Sequence, residues 1–293
     1  MEHVRESLDV SERRACQVLD QPRTTQRYET QRVVNDQALT QAIVQKSHEN
    51  KRWGYRKITA LLRHEGWQVN YKRVYRIWRQ EGLQVPSKQH KRRRLGNSDN
   101  SCVRHQPEHI NHVWSIDFIM DQTGDGRRLK ILSVIDEYTR ECLAVEVARH
   151  MTASSVASVL DYLFSVRGKP RYIRSDNGPE FVAEAICQYL SSQCVETLYI
   201  EPGSPWQNGY VESFHSIFRN EFLNQEWFSS LKEAQVLAEQ WQLHYNHKRP
   251  HGALNYQSPA SFAASRIASG QPTADLQQYA GNPMDDSLIN CGT

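Results

Sequence analysis

The order of hydrophobic patterns after residue 110 limits the folds that this 293-residue chain can adopt. Three β-rich runs come first, at residues 113–119, 129–135 and 142–147, and turn signals separate them. From residue 153 onward, helical and strand patterns alternate. Three strands followed by alternating helices and strands predict an α/β fold, in which a mixed sheet carries helices on its faces.

The alternating part of the chain is predicted to contain four helices and two strands. The helices cover residues 153–166, 179–190, 211–222 and 231–244, and the strands cover residues 172–175 and 196–200. A loop rich in glycine and proline, residues 202–209, precedes the third of these helices. Residues 266–293 lack periodicity, so we expect them to form a flexible tail.

Three acidic residues in this region have distinctive surroundings. Asp117 lies within the first predicted strand, Asp176 follows the strand at residues 172–175, and Glu212 lies in the first turn of the helix at residues 211–222. An isolated Asp near a turn is usually a cap or a solvated side chain. Ligands of such sheets gather at strand ends, however, so we expect the three carboxylates to converge in one site.

Carboxylates that converge without a Cys or His motif beside them suit hard cations such as Mg²⁺ or Mn²⁺. Two such ions can hold the attacking and leaving oxygens of an in-line phosphoryl displacement, which is the chemistry of cutting and joining DNA. Arg219 shares a helical face with Glu212 and is placed to bind a phosphate, and Asn208 lies one turn before Glu212. Both are candidate DNA contacts.

The net charge of +3 is unevenly distributed along the chain. Residues 1–110 contain 22 Lys and Arg against 12 Asp and Glu, a net of +10, whereas residues 111–293 contain 14 against 21, a net of −7. We interpret the first part as the one that binds a polyanion. In the second part, carboxylates need metal ions before they can face DNA.

Residues 36–85 are predicted to form a small all-α helix-turn-helix region. Helical patterns cover residues 39–46, 55–65 and 71–81, and Asn70 can cap the third helix. This helix carries four basic residues that we consider candidate DNA contacts: Lys72, Arg73, Arg76 and Arg79. The alternative is a basic helix that is merely solvated. The surroundings disfavour it, because residues 46–94 hold 15 Lys and Arg and only 3 acidic residues.

The chain is therefore expected to have five parts. They are an N-terminal helical segment (1–35), the helix-turn-helix region (36–85), a basic linker (86–110), the α/β core (111–265) and the tail (266–293). Within the first part, residues 8–20 are predicted to form a helix with Ser11 as its N-cap.

Several classes of protein are disfavoured. The six cysteines show no Cys-x-x-Cys spacing, which argues against a zinc knuckle and against a disulfide framework. No apolar run approaches the roughly 20 residues that span a bilayer, and the mean hydropathy is −0.71. Residues 1–10 lack the apolar centre of a secretory signal. We expect a cytoplasmic protein with reduced cysteines.

Together these features resemble the integrase-core transposases of bacterial insertion sequences, which carry an Asp-Asp-Glu triad, and in particular the OrfB type of the third insertion-sequence family. The resemblance runs from about residue 8 to residue 263. It includes residues 114–118, 175–181, 204–214 and 245–251, followed by Leu254, Ser258, Pro259 and Phe262. The 35 residues between Asp176 and Glu212, and the basic Arg219 seven positions after Glu212, also match the family.

The resemblance implies a ribonuclease-H-like core with two Mg²⁺ or Mn²⁺ ions per active site, held by Asp117, Asp176 and Glu212. It implies that DNA strands are transferred without a covalent enzyme intermediate. The expected partners are double-stranded DNA, namely the terminal inverted repeats and the target, and further copies of the chain bound on DNA. In this family an upstream frame that encodes a helix-turn-helix and leucine zipper is commonly fused to this one. The expected location is the bacterial cytoplasm, on DNA.

Residues 245–251 allow two interpretations, a basic segment that faces DNA or a packing segment; Lys248 and Arg249 are candidate DNA contacts under the first. The spacing of His244, His247 and His251 lacks carboxylate support, so a metal site there is disfavoured. Two alternatives to an active transposase stay open on the sequence alone. One is a catalytically silent DNA-binding regulator, and the other is a nuclease of similar fold without strand transfer.

Overall fold

The computed structural model describes residues 7, 9–27, 32–86, 106–176, 178–199 and 208–270. The strands are β1 (Val113–Gln122), β2 (Arg128–Asp136), β3 (Cys142–Ala148), β4 (Tyr172–Ser175) and β5 (Glu196–Tyr199). They form one sheet in the order β3-β2-β1-β4-β5. The pairs β1–β2 and β2–β3 are antiparallel, and the pairs β1–β4 and β4–β5 are parallel. The predicted mixed sheet is confirmed.

Ten helices are described. Those before the sheet are α1 (Glu12–Val18), α2 (Arg23–Gln26), α3 (Arg32–Glu49), α4 (Tyr55–His64) and α5 (Tyr71–Gln80). Those after β3 are α6 (Ala153–Arg167), α7 (Glu184–Ser192), α8 (Gly209–Phe218), α9 (Leu231–His247) and α10 (Pro259–Ala268). A π-helical turn, Arg219–Leu223, continues α8, and a short 3₁₀ turn, Gly252–Leu254, follows α9.

Both faces of the sheet are covered by helices. One core contains Trp114 and Ile116 of β1 together with apolar residues of α6 and α7. The other contains Ile119 of β1 together with residues of α8 and α9. Because neighbouring side chains of a strand point to opposite faces, Asp117 lies on the face that α8 and α9 cover.

A separate hydrophobic core joins α3, α4 and α5. It contains Ile43, Ile58, Leu62 and Val74, which are fully buried. The side chain of Asn70 accepts a hydrogen bond from the backbone N–H of Lys72 at 2.9 Å, so the predicted N-cap of α5 is confirmed.

Three helices differ from their predicted bounds. The first predicted helix spans only Glu12–Val18, although Ser11 caps it as expected; Asp20, with φ of 50°, stands in the left-handed region just after it. Helix α7 begins at Glu184, because residues 179–183 form turns instead. The helix predicted at residues 211–222 changes to π geometry at Arg219.

Some predicted segments lie wholly or partly outside the described residues. These are most of the linker, most of the loop at residues 202–209, and the tail beyond residue 270. The first residues of the predicted tail, up to Ala268, belong to α10. Within the described ranges, every helix is too short or too polar to cross a membrane.

Candidate active site

Asp117 lies on β1, and Asp176 follows the neighbouring parallel strand β4 at the corresponding position. Ser115 of β1 pairs with Arg174 of β4, and each aspartate lies two residues further along its strand direction. Since paired strands run about 4.8 Å apart, this register brings the two carboxylates together at the carboxyl end of β4.

A buried polar network at Ser115 and Arg174 fixes this register. Arg174 donates from Nε to Glu137 Oε1 at 2.8 Å, and the hydroxyl of Ser115 donates to the same carboxylate oxygen. The side chains of Arg174 and Glu137 are 6% and 0% exposed. Removal of either partner would leave an unpaired buried charge, which is strongly destabilising. The network therefore ties β4 to β1 two residues before the aspartates.

The turn after β4 orients Asp176. The backbone N–H of Gly178 donates to Asp176 Oδ1 at 3.1 Å. A Cβ atom at position 178 would lie 3.0 Å from this oxygen, so glycine permits the close approach. Glu180 then pairs with Lys130 of β2, and Phe181 stacks on Phe118 with ring centroids 4.9 Å apart. These contacts hold the turn beside β1 and explain the late start of α7.

Glu212 comes to the site on α8. Val211, Phe214 and Phe218 of this helix are buried against the sheet, as the sequence pattern predicted. The side chain of Glu212, in the first turn, is exposed. Helix α8 thus packs one face on the core while its solvent face presents a carboxylate.

His215, one turn after Glu212, is a site residue that the sequence analysis missed. Its Nε2 lies 2.7 Å from Ser133 Oγ, and its Nδ1 lies 3.5 Å from Asp117 Oδ2. Ser133 is the β2 partner of Asp117 and donates its hydroxyl to the Asp117 carbonyl at 3.1 Å. Burial, together with the positive charge of Arg219, lowers the pKa of His215 to about 4. The imidazole is therefore neutral at pH 7. It contacts Asp117 without compensating its charge.

Electrostatic repulsion connects the three carboxylates. Burial raises the pKa of Asp117 to about 6, and the negative charges of Asp176 and Glu212 add to this rise. The backbone N–H of Phe118, which donates to Asp117 Oδ1 at 2.7 Å, opposes it. Asp176 and Glu212 thus lie close enough to Asp117 to disfavour its charged form, as neighbouring like charges do.

This donor set fits a hard divalent cation, because the converging groups are carboxylates and no described thiol lies among them. A cation would also offset the repulsion at Asp117. Within the described residues, no three His, Cys, Asp or Glu side chains are already grouped at positions that could hold an ion. The strand register brings the carboxylates together, and final ligand geometry requires them to approach further.

The other candidate DNA contacts near the site divide into exposed and buried groups. Arg219 is exposed and donates from Nη2 to the Met120 carbonyl at 3.3 Å, and Lys248 is exposed at the end of α9. Asn208 is 4% exposed, and its Oδ1 has no hydrogen-bond partner in the described part of the chain.

Arg249 corrects the expectation that its side chain faces DNA. It is 4% exposed, and its guanidinium donates two hydrogen bonds to Glu221, both at 2.7 Å. Glu221 also accepts hydrogen bonds from Trp53 Nε1 at 3.1 Å and from Lys57 Nζ at 2.9 Å. Arg249 therefore helps to attach the α3–α5 region to the α/β core, a contact between distant segments that the sequence patterns did not indicate.

Part of the segment 245–251 packs against the core, as one of the two interpretations expected, whereas His247 and Lys248 are exposed. Tyr245 is buried, and the Asn246 amide exchanges two hydrogen bonds with the backbone of Cys142, at 2.9 and 2.8 Å. Burial lowers the pKa of His251 to about 4 and also lowers the pKa of His244. The described histidines form no metal cluster.

The basic residues of α5 differ in their surroundings. Lys72 and Arg79 are exposed and form no ion pair with any described residue. Arg73 donates from Nε to Asp36 at 2.6 Å, and Arg76 pairs with the same carboxylate. Both arginines remain 40% exposed, so they join α5 to α3 and still reach solvent.

Comparisons with known proteins agree with this architecture. Models of an integrase core domain match residues 107–205 and 193–259, and an HTH-like domain matches residues 34–93. The chain is 38% identical over 278 residues to the 31.7 kDa protein of insertion element IS407 from Burkholderia multivorans, covering 95% of this chain and 99% of that protein. It is 37% identical to the 39.2 kDa protein of insertion element IS476 from Xanthomonas euvesicatoria, covering 89% and 74%.

Among solved structures, the HTLV-2 integrase catalytic core domain in complex with magnesium is similar at 17% identity and a TM-score of 0.43. It matches 53% of this chain and 97% of its own length.

Proposed function

This chain belongs to the integrase-core transposases of bacterial insertion sequences, in the OrfB type of the third insertion-sequence family, and on this premise we propose that it cuts the ends of its element and joins the freed 3′-hydroxyl to DNA. One observation carries the proposal. Asp117, Asp176 and Glu212 come from three separate elements, and the charges of Asp176 and Glu212 both act on Asp117 beside the carboxyl end of β4.

We assign the three carboxylates to divalent-metal binding. Two Mg²⁺ or Mn²⁺ ions held there would stabilise the charge on the attacking and leaving oxygens of phosphoryl transfer. Around them, the Gly178 N–H orients the Asp176 carboxylate, and the His215 imidazole restricts Asp117. The exposed guanidinium of Arg219 binds a DNA phosphate near Glu212. Asn208, at the N-terminus of α8, is the other candidate DNA contact beside Glu212.

The helix-turn-helix region binds DNA before catalysis. The exposed Lys72 and Arg79 contact phosphates, and the half-exposed Arg73 and Arg76 stiffen α5 through Asp36 and complete its basic face. Lys248 adds a further phosphate contact beside the core. This division of roles follows the proposed division of the chain into a DNA-binding region (36–85), a basic linker (86–110) and a catalytic core (111–265).

The working assembly is proposed to be an oligomer on DNA in the bacterial cytoplasm. The element's terminal inverted repeats and the target duplex are its substrates. An upstream-frame protein with a helix-turn-helix and a leucine zipper is a further proposed partner, joined to this chain by frameshift fusion.

A strand-transfer assay tests the function. A labelled duplex that carries the terminal repeat is incubated with the protein, a target plasmid and Mg²⁺, and the products are separated by length. Cleaved ends joined to the plasmid support the proposal. Cleavage without joining would identify a nuclease, and binding without cleavage would identify a catalytically silent regulator.

A further inference from the structure

A cleft of about 880 Å³ lies between α4 and the segment that runs from the end of α9 to the start of α10. Its walls thus come from the helix-turn-helix region on one side and from the core on the other. Five cationic or imidazole side chains line it: Arg56, Arg63, His64, His247 and Lys248. Tyr71, the first residue of α5, also lines it.

The cleft is positively charged. All five of these side chains belong to exposed residues, and the lining contains no Asp or Glu. Arg63 donates from Nε and Nη2 to the Val69 carbonyl, at 3.0 and 2.9 Å, and Arg56 donates to the Tyr55 hydroxyl at 3.2 Å. These neutral acceptors position the guanidinium groups without cancelling their charge. The charge therefore remains available to an anion.

The two walls are attached to each other close to the cleft. Glu221 of the core accepts hydrogen bonds from Trp53, just before α4, and from Lys57 within α4. The Trp53 ring also lies 5.5 Å from the His244 ring of α9. Trp53 is 3% exposed, so this joint excludes water. The joint at Glu221 consequently holds the two basic walls of the cleft together.

The position of the cleft relates it to both DNA-directed parts of the molecule. On one side it begins at Tyr71, the start of α5. On the other side, Lys248 is next to Arg249, which pairs with Glu221. Glu221 lies nine residues after Glu212, on the π-helical turn that continues α8. Nine residues correspond to roughly 13 Å along a helix.

We propose that this cleft binds backbone phosphates of duplex DNA, in the stretch between the part held by α5 and the part presented to Asp117, Asp176 and Glu212. The assignment rests on the proposed function, because the transposase must hold one duplex at both places. Arg56 and Lys248 contribute the charge from opposite walls. Contacts to phosphates are independent of base sequence, so the cleft fixes the path of the DNA without reading it.

Salt-dependent binding of a fluorescent 30-base-pair duplex of mixed sequence tests the cleft. Binding is measured in EDTA over a series of NaCl concentrations, so that no cleavage takes place. The slope of log K against log salt is negative, and each lost phosphate contact lowers its magnitude by about 0.9. We expect that decrease for Arg56→Gln and for Lys248→Gln, and about twice that decrease for the double variant.

Lys232→Gln is the matched control, because Lys232 is an exposed lysine near the other end of α9, about 24 Å from Lys248 along the helix. Its slope should equal that of the wild type. The charge-conserving pair Arg56→Lys and Lys248→Arg should also keep the slope, which separates charge from packing.

An unchanged slope in the double variant would overturn the proposal, and so would an equal decrease in Lys232→Gln. Neither result depends on strand transfer, which is measured separately with Mg²⁺. Absence of strand transfer by the wild type, together with the expected slope changes in the cleft variants, would instead refute the proposed function and leave the cleft assignment standing.

Discussion

Arg249 and Glu221 form a buried two-pronged ion pair, with Nε and Nη2 of the arginine each 2.7 Å from a carboxylate oxygen. The side chains are 5% and 10% exposed. Glu221 follows the helix that carries Glu212, and Arg249 follows α9. Trp53 and Lys57 from the helix-turn-helix region bind the same carboxylate. One acidic side chain thus joins three parts of the chain.

This joint predicts a loss of stability in acid. Burial disfavours the charged form of Glu221, but the hydrogen bonds and charges of Arg249 and Lys57 outweigh it and lower its pKa to about 2. Because its pKa is lower in the folded state than in the unfolded state, Glu221 stabilises the fold at pH values above its unfolded-state pKa. This contribution decreases as the pH falls from about 4.5 towards 2. Chemical denaturation of wild type and Glu221→Gln over this range measures it.

At pH 7 we expect Glu221→Gln to lower the free energy of unfolding by about 3 kcal/mol, since it leaves the Arg249 charge buried and unpaired. The difference between the two proteins should shrink as the pH falls towards 2. The exposed Glu226→Gln should match the wild type throughout. A difference between wild type and Glu221→Gln that stays constant from pH 5 to pH 2 would contradict the account.

His215 is predicted to support Asp117 as an orienting residue. His215→Ala removes the contacts to Ser133 Oγ and Asp117 Oδ2, and residues that orient metal ligands typically contribute 10–100-fold in metal affinity or activity, so we expect a loss of about that size. The concentration of Mn²⁺ at half-maximal cleavage should rise, whereas duplex binding in EDTA should not change. A variant that needs no more Mn²⁺ than the wild type would show that His215 only fills space.

The basic residues of α5 should separate into two classes. Replacing Lys72 and Arg79 by alanine should lower the magnitude of the salt slope of duplex binding by about 1.8, at about 0.9 per lost phosphate contact, with little change in thermal stability. Arg73→Ala or Arg76→Ala should lower the melting temperature, because each breaks a link to Asp36. Equal melting temperatures in all four single variants would contradict this separation.

The sequence predicted most of the fold because its signals are local. The strand and helix patterns, the Asn70 cap and the apolar face of α8 all depend on residues a few positions apart. The joint at Glu221 could not be predicted, since its partners Trp53 and Lys57 lie 168 and 164 residues away in sequence.

Burial of charge was the second source of error. Arg249 was a candidate DNA contact under one of the two interpretations of residues 245–251, and its buried partner Glu221 could not be identified from the sequence. Arg174 gave a usable signal. A charged residue inside a short buried strand requires a buried acid, which is Glu137. His215 gave no such signal, since its contacts are with Ser133 and Asp117, which lie on strands far away in the sequence.

The central claim is that Asp117, Asp176 and Glu212 form one metal-dependent site, and strand transfer by the variants Asp117→Asn, Asp176→Asn and Glu212→Gln tests it most directly. Each change removes one negative ligand at nearly constant volume. We expect cleavage and joining to fall below detection in all three, with unchanged duplex binding in EDTA and a folded circular-dichroism spectrum, while the exposed Glu184→Gln control stays fully active. Activity close to that of the wild type in any one of the three would contradict the claim.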